Sequence, residues 1–428
     1  MSATALITEY NPFHNGHQYH LNKSKEITKN NELIVIMSGN FTQRAEAAVL
    51  DKWARTKQAL SCGADLVIEL PFIFNIRSAE YFAHFSILTL DKIRIVDSVV
   101  FGSEAGNIEI IKAIAEAFNN ENQFFKDELD KYLKQGHNFP TARRKALLAA
   151  FNNYQELQNF SKDEVKKILE APNNILGIEY LKSLKKINSK IKAHTIKRIG
   201  TDHHSNEITD NFASASLIRN IINSSSKKEA INKSKDLMPD QSWQILKKEI
   251  ETGRFVKNRS NNNIVLKTID QLRRLTSSDL KNYKGISNGI ENRFSQSAIK
   301  STNQAEFIKN LKCKNLTESR IKRKILQIYF ELTAAKINAV EKNAPHYIRV
   351  LGVKKGKEYL LSNLKEKSEL PLIINPAAKI TDLDFNKNNP LNLSLSYDIL
   401  ASDLYSLLYQ NPEYRKARRD YHQKLIKL

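Results

Sequence analysis

The chain has 428 residues, 41% of them hydrophobic and 26% charged, with a net charge of +21; that length exceeds one compact core and predicts two or three domains. No apolar run approaches the roughly 20 residues of a membrane helix and no basic-then-apolar leader opens the chain, so membrane and secreted classes are set aside and a cytoplasmic location is expected. The two cysteines, Cys62 and Cys313, lack ligand spacing, which excludes a disulfide framework and a cysteine zinc site.

Taken in chain order, Ala5 to Ile7, Leu33 to Met37, Asp65 to Leu70 and Val96 to Phe101 are short, β-branched, nearly continuous apolar runs, as buried parallel strands are. Amphipathic stretches at 17–29, 50–62 and 76–91 lie between them and predict helices. The alternation predicts an α/β fold with a Rossmann-like doubly wound parallel sheet. Residues 107–186 read as helices, with Pro140 and Pro172 at helix starts. A strand near 191–198 and a helix opening around Ala213 complete this part.

The polar segment Ser224 to Lys228 has no apolar periodicity and is the expected boundary between an α/β domain at 1–225 and a mainly helical, basic domain at 226–428. The second part includes a helix over 318–335, a short α/β element at Tyr347 to Leu372, and two closing helices, the last carrying Arg415, Lys416, Arg418 and Arg419. Charge is unevenly spread: residues 1–230 sum to +4 and residues 231–428 to +17, which recovers +21. A C-terminal excess of this size is the footprint of a polyanion binder, and Arg320, Lys322, Arg323 and Lys324 are its candidate contacts.

The segment Asn11-Pro12-Phe13-His14-Asn15-Gly16-His17 stands where the first strand hands over to the first helix. In an open parallel sheet the ligand crevice lies at the carboxyl ends of the strands. A helix N-terminus there offers free N–H groups, Gly16 allows close approach, and imidazoles donate to phosphate oxygens. The Gly-x-x-x-x-Gly-Lys of a P-loop is absent. Two other readings stay open at this point: metal ligation by His14, His17 and His20, for which only Glu9 stands nearby as a further ligand, and a plain helix start with incidental histidines.

The string HNGH resembles the His-x-Gly-His signature of the nucleotidylyltransferase superfamily. Together, EYNPFHNGHQYH (9–20), VIMSGNFTQRAE (35–46), DKWARTKQAL (51–60), GADLVIELP (63–71), VVFGSE (99–104), PNNILGIEYL (172–181) and FASASLIR (212–219) resemble the bacterial tRNA(Met) cytidine acetate ligase family. The resemblance implies an enzyme that uses ATP, with Mg²⁺, to activate acetate as acetyl-adenylate and then acetylates N4 of the wobble cytidine of elongator tRNA(Met). A small-molecule nucleotidylyltransferase is the alternative that the shorter signature allows. The resemblance makes His14 and His17 the phosphate pair and carries ATP contacts onto Ile7, Thr8, Glu9, Tyr10, Asn11, Pro12, Phe13, Asn15, Gly16, Gln18, Tyr19 and His20 as well, with Gly102, Asn173 and Arg198. It makes Ser214, Ser216 and Arg219 a second phosphate motif; no resident metal is expected, and no protein partner is implied. Ser38, Gly39 and Asn40 are expected to border the acetate or cytidine pocket, and Ala45 and Ala47 stand where the family pattern has Gly and Pro.

Overall fold

The computed structural model describes residues 2–199, 212–314 and 316–428. Five strands form a parallel sheet: β1 (Ala3–Thr8), β2 (Glu32–Ser38), β3 (Leu66–Leu70), β4 (Val96–Ser103) and β5 (Lys192–Lys197), in spatial order 5-4-1-2-3. The order reverses between β1 and β4, which opens the crevice at their carboxyl ends.

Side chains alternate along each strand, so the sheet feeds two cores. Ala3, Ala5, Ile34 and Ile36 face one, while Leu6, Leu33, Val35 and Met37 face the other with Leu21, Trp53, Ala59 and Leu60. The last four come from α1 (Asn15–Thr28) and α2 (Lys52–Ser61). On the opposite face lie α3 (Ala79–Lys92) and α4 (Pro172–Lys186), which supply Phe82, Ile87, Ile178 and Tyr180 to the first core. Both helices start near the expected residues. Pro172 occupies a first-turn position, where its missing N–H leaves no bond unmade.

The C-terminal part joins the same sheet. β6 (Ile348–Val353) pairs antiparallel with β3, and β7 (Leu372–Ile373) and β8 (Ile426–Lys427) pair parallel with β6. The strands expected within Tyr347 to Leu372 are present, but as an extension of the first sheet. Residues 224–228 form a tight turn between α5 (Ala215–Ser224) and the next helix, capped by Ser226. Ile218 and Ile222 before the turn share one cluster with Ala230, Trp243 and Leu246 after it, and with Val49, Leu50 and Ala54. Core and sheet therefore run across residue 225.

Two helical expectations are corrected. The helix expected over 318–335 is α6 (Glu318–Tyr329), and the chain then turns at Glu331, whose φ is +50°, before a separate helix Ala334–Glu341. The closing basic helix is absent: after α7 (Pro390–Ser406) the chain makes short turns, with one 3-10 turn at Pro412–Tyr414 and α-helix only at Arg419–His422. Arg415 donates to the Tyr409 carbonyl, Arg418 pairs with Asp382 and Arg419 pairs with Asp51, so these cations bind the fold.

Candidate active site

The loop after β1 packs its two histidines ring to ring, with centroids 3.8 Å apart. His14 is the N-cap of α1, and its Nδ1 accepts from the Gly16 N–H at 3.1 Å. His17 reaches back, and its Nδ1 accepts from the His14 N–H at 3.2 Å. This is a capping box with imidazoles in both roles. It fixes the tautomer: a ring that accepts at Nδ1 while neutral carries its proton on Nε2. Burial, with Arg198 and Arg219 nearby, pushes His14 down to about 3. Burial and then the His14 ring push His17 down as well. Both are therefore neutral Nε2–H donors at pH 7. A Cβ on Gly16 would stand 2.9 Å from His14 Cε1, so the glycine makes room for this ring.

A cavity of about 420 Å³ lies at the crevice. Ile7, Thr8, Glu9, Tyr10, Asn11, His14, Gly16, His17, Tyr19 and His20 line it from the first loop and helix. Gly102, Asn173, Arg198, Ser214, Ser216 and Arg219, from four distant segments, line it too. Ser214 caps α5 by accepting from the Leu217 N–H at 3.1 Å. Arg219 donates to Ser216 Oγ at 2.9 Å and to the Asn11 carbonyl at 2.9 Å, which ties α5 to the histidine loop. The Arg198 stem lies over Gly102, where a Cβ would meet its Cγ at 3.3 Å. One wall thus carries imidazole, hydroxyl, guanidinium and helix N-terminal donors together, an arrangement suited to a polyphosphate.

Four candidates stand behind this wall instead. Pro12 and Phe13 are buried under the loop, where Ser242 Oγ donates to the Phe13 carbonyl at 3.0 Å. Asn15 donates to the Asp236 carbonyl at 2.9 Å, and Gln18 to the Cys62 carbonyl at 2.9 Å. Ser38, Gly39 and Asn40 also stay off the cavity. Gly39 packs on Glu69, and Asn40 is buried between the Lys52 N–H, at 2.7 Å, and Ser402, at 3.1 Å. The next residues, Thr42, Gln43, Arg44 and Glu46, form that edge of the cavity, with Ala79, Phe82 and Tyr180 as an apolar floor. Nothing in their spacing marks the last three, whose apolar periodicity reads simply as core.

Two residues that no motif role covered organise the site. Buried Arg55 donates from Nη1 to the Glu9 carbonyl at 2.6 Å and the Ser38 carbonyl at 3.1 Å, from Nε to the Leu50 carbonyl at 2.9 Å, and from Nη2 to the Gly39 carbonyl. It locks the ends of β1 and β2 together. Glu104 accepts from the N–H groups of Asn173 and Asn174 and from Asn173 Nδ2 at 2.7 Å. Glu104, and not an asparagine, therefore caps α4, and it holds Asn173 at the cavity.

His14, His17 and His20 all reach the cavity, yet the described residues contain no group of three side chains placed to hold a metal. The cavity carboxylates are committed as well: Glu9 accepts from the Gln43 N–H at 2.8 Å and Glu46 pairs with Lys322 at 2.6 Å.

The family model described as HIGH Nucleotidyl Transferase matches residues 1–420. The tRNA(Met) cytidine acetate ligase of Halothermothrix orenii is 44% identical and that of Acetivibrio thermocellus 37%, each over the whole of both chains. This chain belongs to the tRNA(Met) cytidine acetate ligase family. The solved TmcAL of Thermotoga maritima bound with alpha-thio ATP is 34% identical, with a TM-score of 0.89 and full coverage of both chains, and its apo form gives 0.90. The family likeness thus runs through the C-terminal part, where the motifs quoted above give out.

Within this member of the family, the four basic candidates of α6 divide. Lys322 is neutralised by Glu46 and by Glu318, at 3.1 Å. Lys324 is buried, donating to the Lys284 carbonyl and to Gln327 at 3.1 Å. Arg320 donates to the Gly285 carbonyl at 3.4 Å, and Arg323 makes no ion pair among the described residues.

Proposed function

We propose that this chain is an ATP-dependent ligase that activates acetate as acetyl-adenylate and acetylates N4 of the wobble cytidine of elongator tRNA(Met), working in the cytoplasm. The observation that carries this reading is the pair of neutral histidines presenting Nε2–H donors beside Arg219 and the capped end of α5. An acetate oxygen attacks the α-phosphorus of ATP and the bond to pyrophosphate breaks. The developing negative charge falls on phosphate oxygens, where His14, His17, Ser216 and Arg219 donate. Gly102, Asn173 and Arg198 face the nucleoside end. In the second step the cytosine amine attacks the acetyl carbonyl, AMP leaves, and the amine proton passes to solvent. The edge formed by Gln43, Arg44 and Glu46, over the floor of Ala79 and Phe82, suits the acetyl group and the incoming base. Mg²⁺ would arrive with the ATP phosphates, and no step above depends on it. Residues 226–428, with most of the positive charge, supply the RNA-binding surface.

Labelled acetate is expected to enter tRNA(Met) only when ATP is present. His17→Ala should lower the rate by about 10²–10³-fold, the range for loss of one preorganised donor, while tRNA binding persists. Transfer at the unmutated rate in that variant would overturn the histidine assignment. ATP turnover indifferent to acetate and tRNA would overturn the reaction.

A further inference from the structure

Five cationic side chains from three distant segments meet beside the cavity mouth. Arg77 precedes α3, Lys284 follows a short helical turn, and Arg320, Arg323 and Lys324 lie on α6. Glu341 is the carboxylate that bonds two of them, Arg77 and Lys284, the latter at 2.7 Å. Arg323 and Lys324 make no ion pair among the described residues. The crowding is mutual. Burial and then Arg320, Arg77, Arg323 and Lys284 push Lys324 down to about 7, and burial with Arg320 and Arg77 lowers Arg323. Arg77 and Lys324 are buried, and like charges held this close repel one another unless an anion joins them.

The cluster is tied to the catalytic cavity at two points. Gln43, on its edge, donates to the Arg77 carbonyl at 2.9 Å, and Glu46, on the same edge, pairs with Lys322 of α6. Ala79 and Phe82 of the cavity floor flank Tyr81, a ring 37% exposed with the Arg77 guanidinium 4.2 Å from its centre.

We propose that Lys284, Arg320 and Arg323, backed by the buried charges of Arg77 and Lys324, form a seat for a backbone phosphate of the RNA strand next to the base being acetylated. The proposal rests on the ligase reading for the identity of the strand. It departs from the motif-based candidates: Lys322 belongs to the scaffold, because two carboxylates neutralise it, and the seat draws Arg77 and Lys284 from elsewhere in the chain. A phosphodiester there pairs with Arg323, which has no ion pair among the described residues, and sets the target base over the floor beside Gln43 and Glu46.

The affinity of tRNA(Met) for the unmutated protein, Arg323→Gln and Arg320→Gln is measured against KCl concentration. Each variant should bind more weakly, and its slope of log affinity against log salt should fall by about one. The melting temperature and acetate-dependent exchange of labelled pyrophosphate into ATP report that the adenylylation site is folded. In the unmutated protein, tRNA(Met) should shield Lys284 from an amine-acetylating reagent and ATP alone should not. Unchanged affinity and slope in folded variants, or Lys284 labelled equally with and without tRNA, overturns the seat. Absence of acetate-dependent exchange in the unmutated protein overturns the ligase reading instead, and the RNA titration still decides the seat.

Discussion

Neutral histidines at a phosphate site carry a consequence for stability. His14 and His20 are pushed down to about 3 and about 4, by burial first and by Arg198 next, and His17 moves the same way. Unfolded, each titrates near 6.5, so between that value and its folded pKa the unfolded chain takes up a proton that the folded protein refuses. The stability tied to these rings is whole above about pH 6.5 and is lost as pH falls toward 3 to 4. The slope approaches about 1.4 kcal/mol per pH unit for each histidine. Urea midpoints at pH 7, 6 and 5 measure it, and a flat series would show that the rings charge within the folded protein. The histidines were legible in the sequence because the strand, loop and helix carrying them are contiguous. Arg55 and Glu104 were not, because they act on backbone groups of segments distant in the chain, and neither carbonyls nor N–H groups leave a mark on residue type.

The hairpin between β2 and α2 shows how an element can hold a site under local strain. Phe41 pairs with Ala47, the Thr42 N–H donates to the Glu46 carbonyl at 2.8 Å, and the turn places Ala45 at φ +60°. A left-handed conformation costs an L-residue about 1–2 kcal/mol, and glycine escapes it while giving up about 0.5–1 kcal/mol of unfolded-state entropy. Ala45→Gly is therefore expected to stabilise the protein by about 0.5–1 kcal/mol in urea denaturation. No gain, or a loss, would mean that contacts of the buried Ala45 methyl offset the strain. The departure from the family pattern at this position was visible in the sequence, and the backbone supplies its physical meaning. The placement of the cavity edge was less visible: Ser38 to Asn40 end a strand, as site residues often do, but Glu69 and Ser402 approach from behind and bury them.

At the scale of the molecule, a buried charge network joins the two ends of the sequence. Lys52 Nζ lies 2.8 Å from Glu69 and 2.7 Å from Asp420, and Arg349 of β6 lies 3.4 Å from Asp420. Burial pushes Lys52 down, and Asp420 and then Glu69 more than reverse it. Removing one partner of such a group strands the other, so Asp420→Ala is expected to destabilise by about 3–5 kcal/mol in urea denaturation. A loss below about 1 kcal/mol would show that Glu69 alone satisfies Lys52. The parallel sheet and its switch point were legible from the spacing of apolar runs. That the chain returns after more than two hundred residues to add an antiparallel strand was not, since periodicity identifies a strand but not its neighbour.

The same network sets an order in time. Asp420 follows Lys52 by 368 residues, and at about 5–20 residues per second a ribosome delivers the second roughly 20–70 s after the first. Until then Glu69 is the one carboxylate of this network that Lys52 can meet, and the tie from α2 to β6 through Asp420 and Arg349 stays unmade.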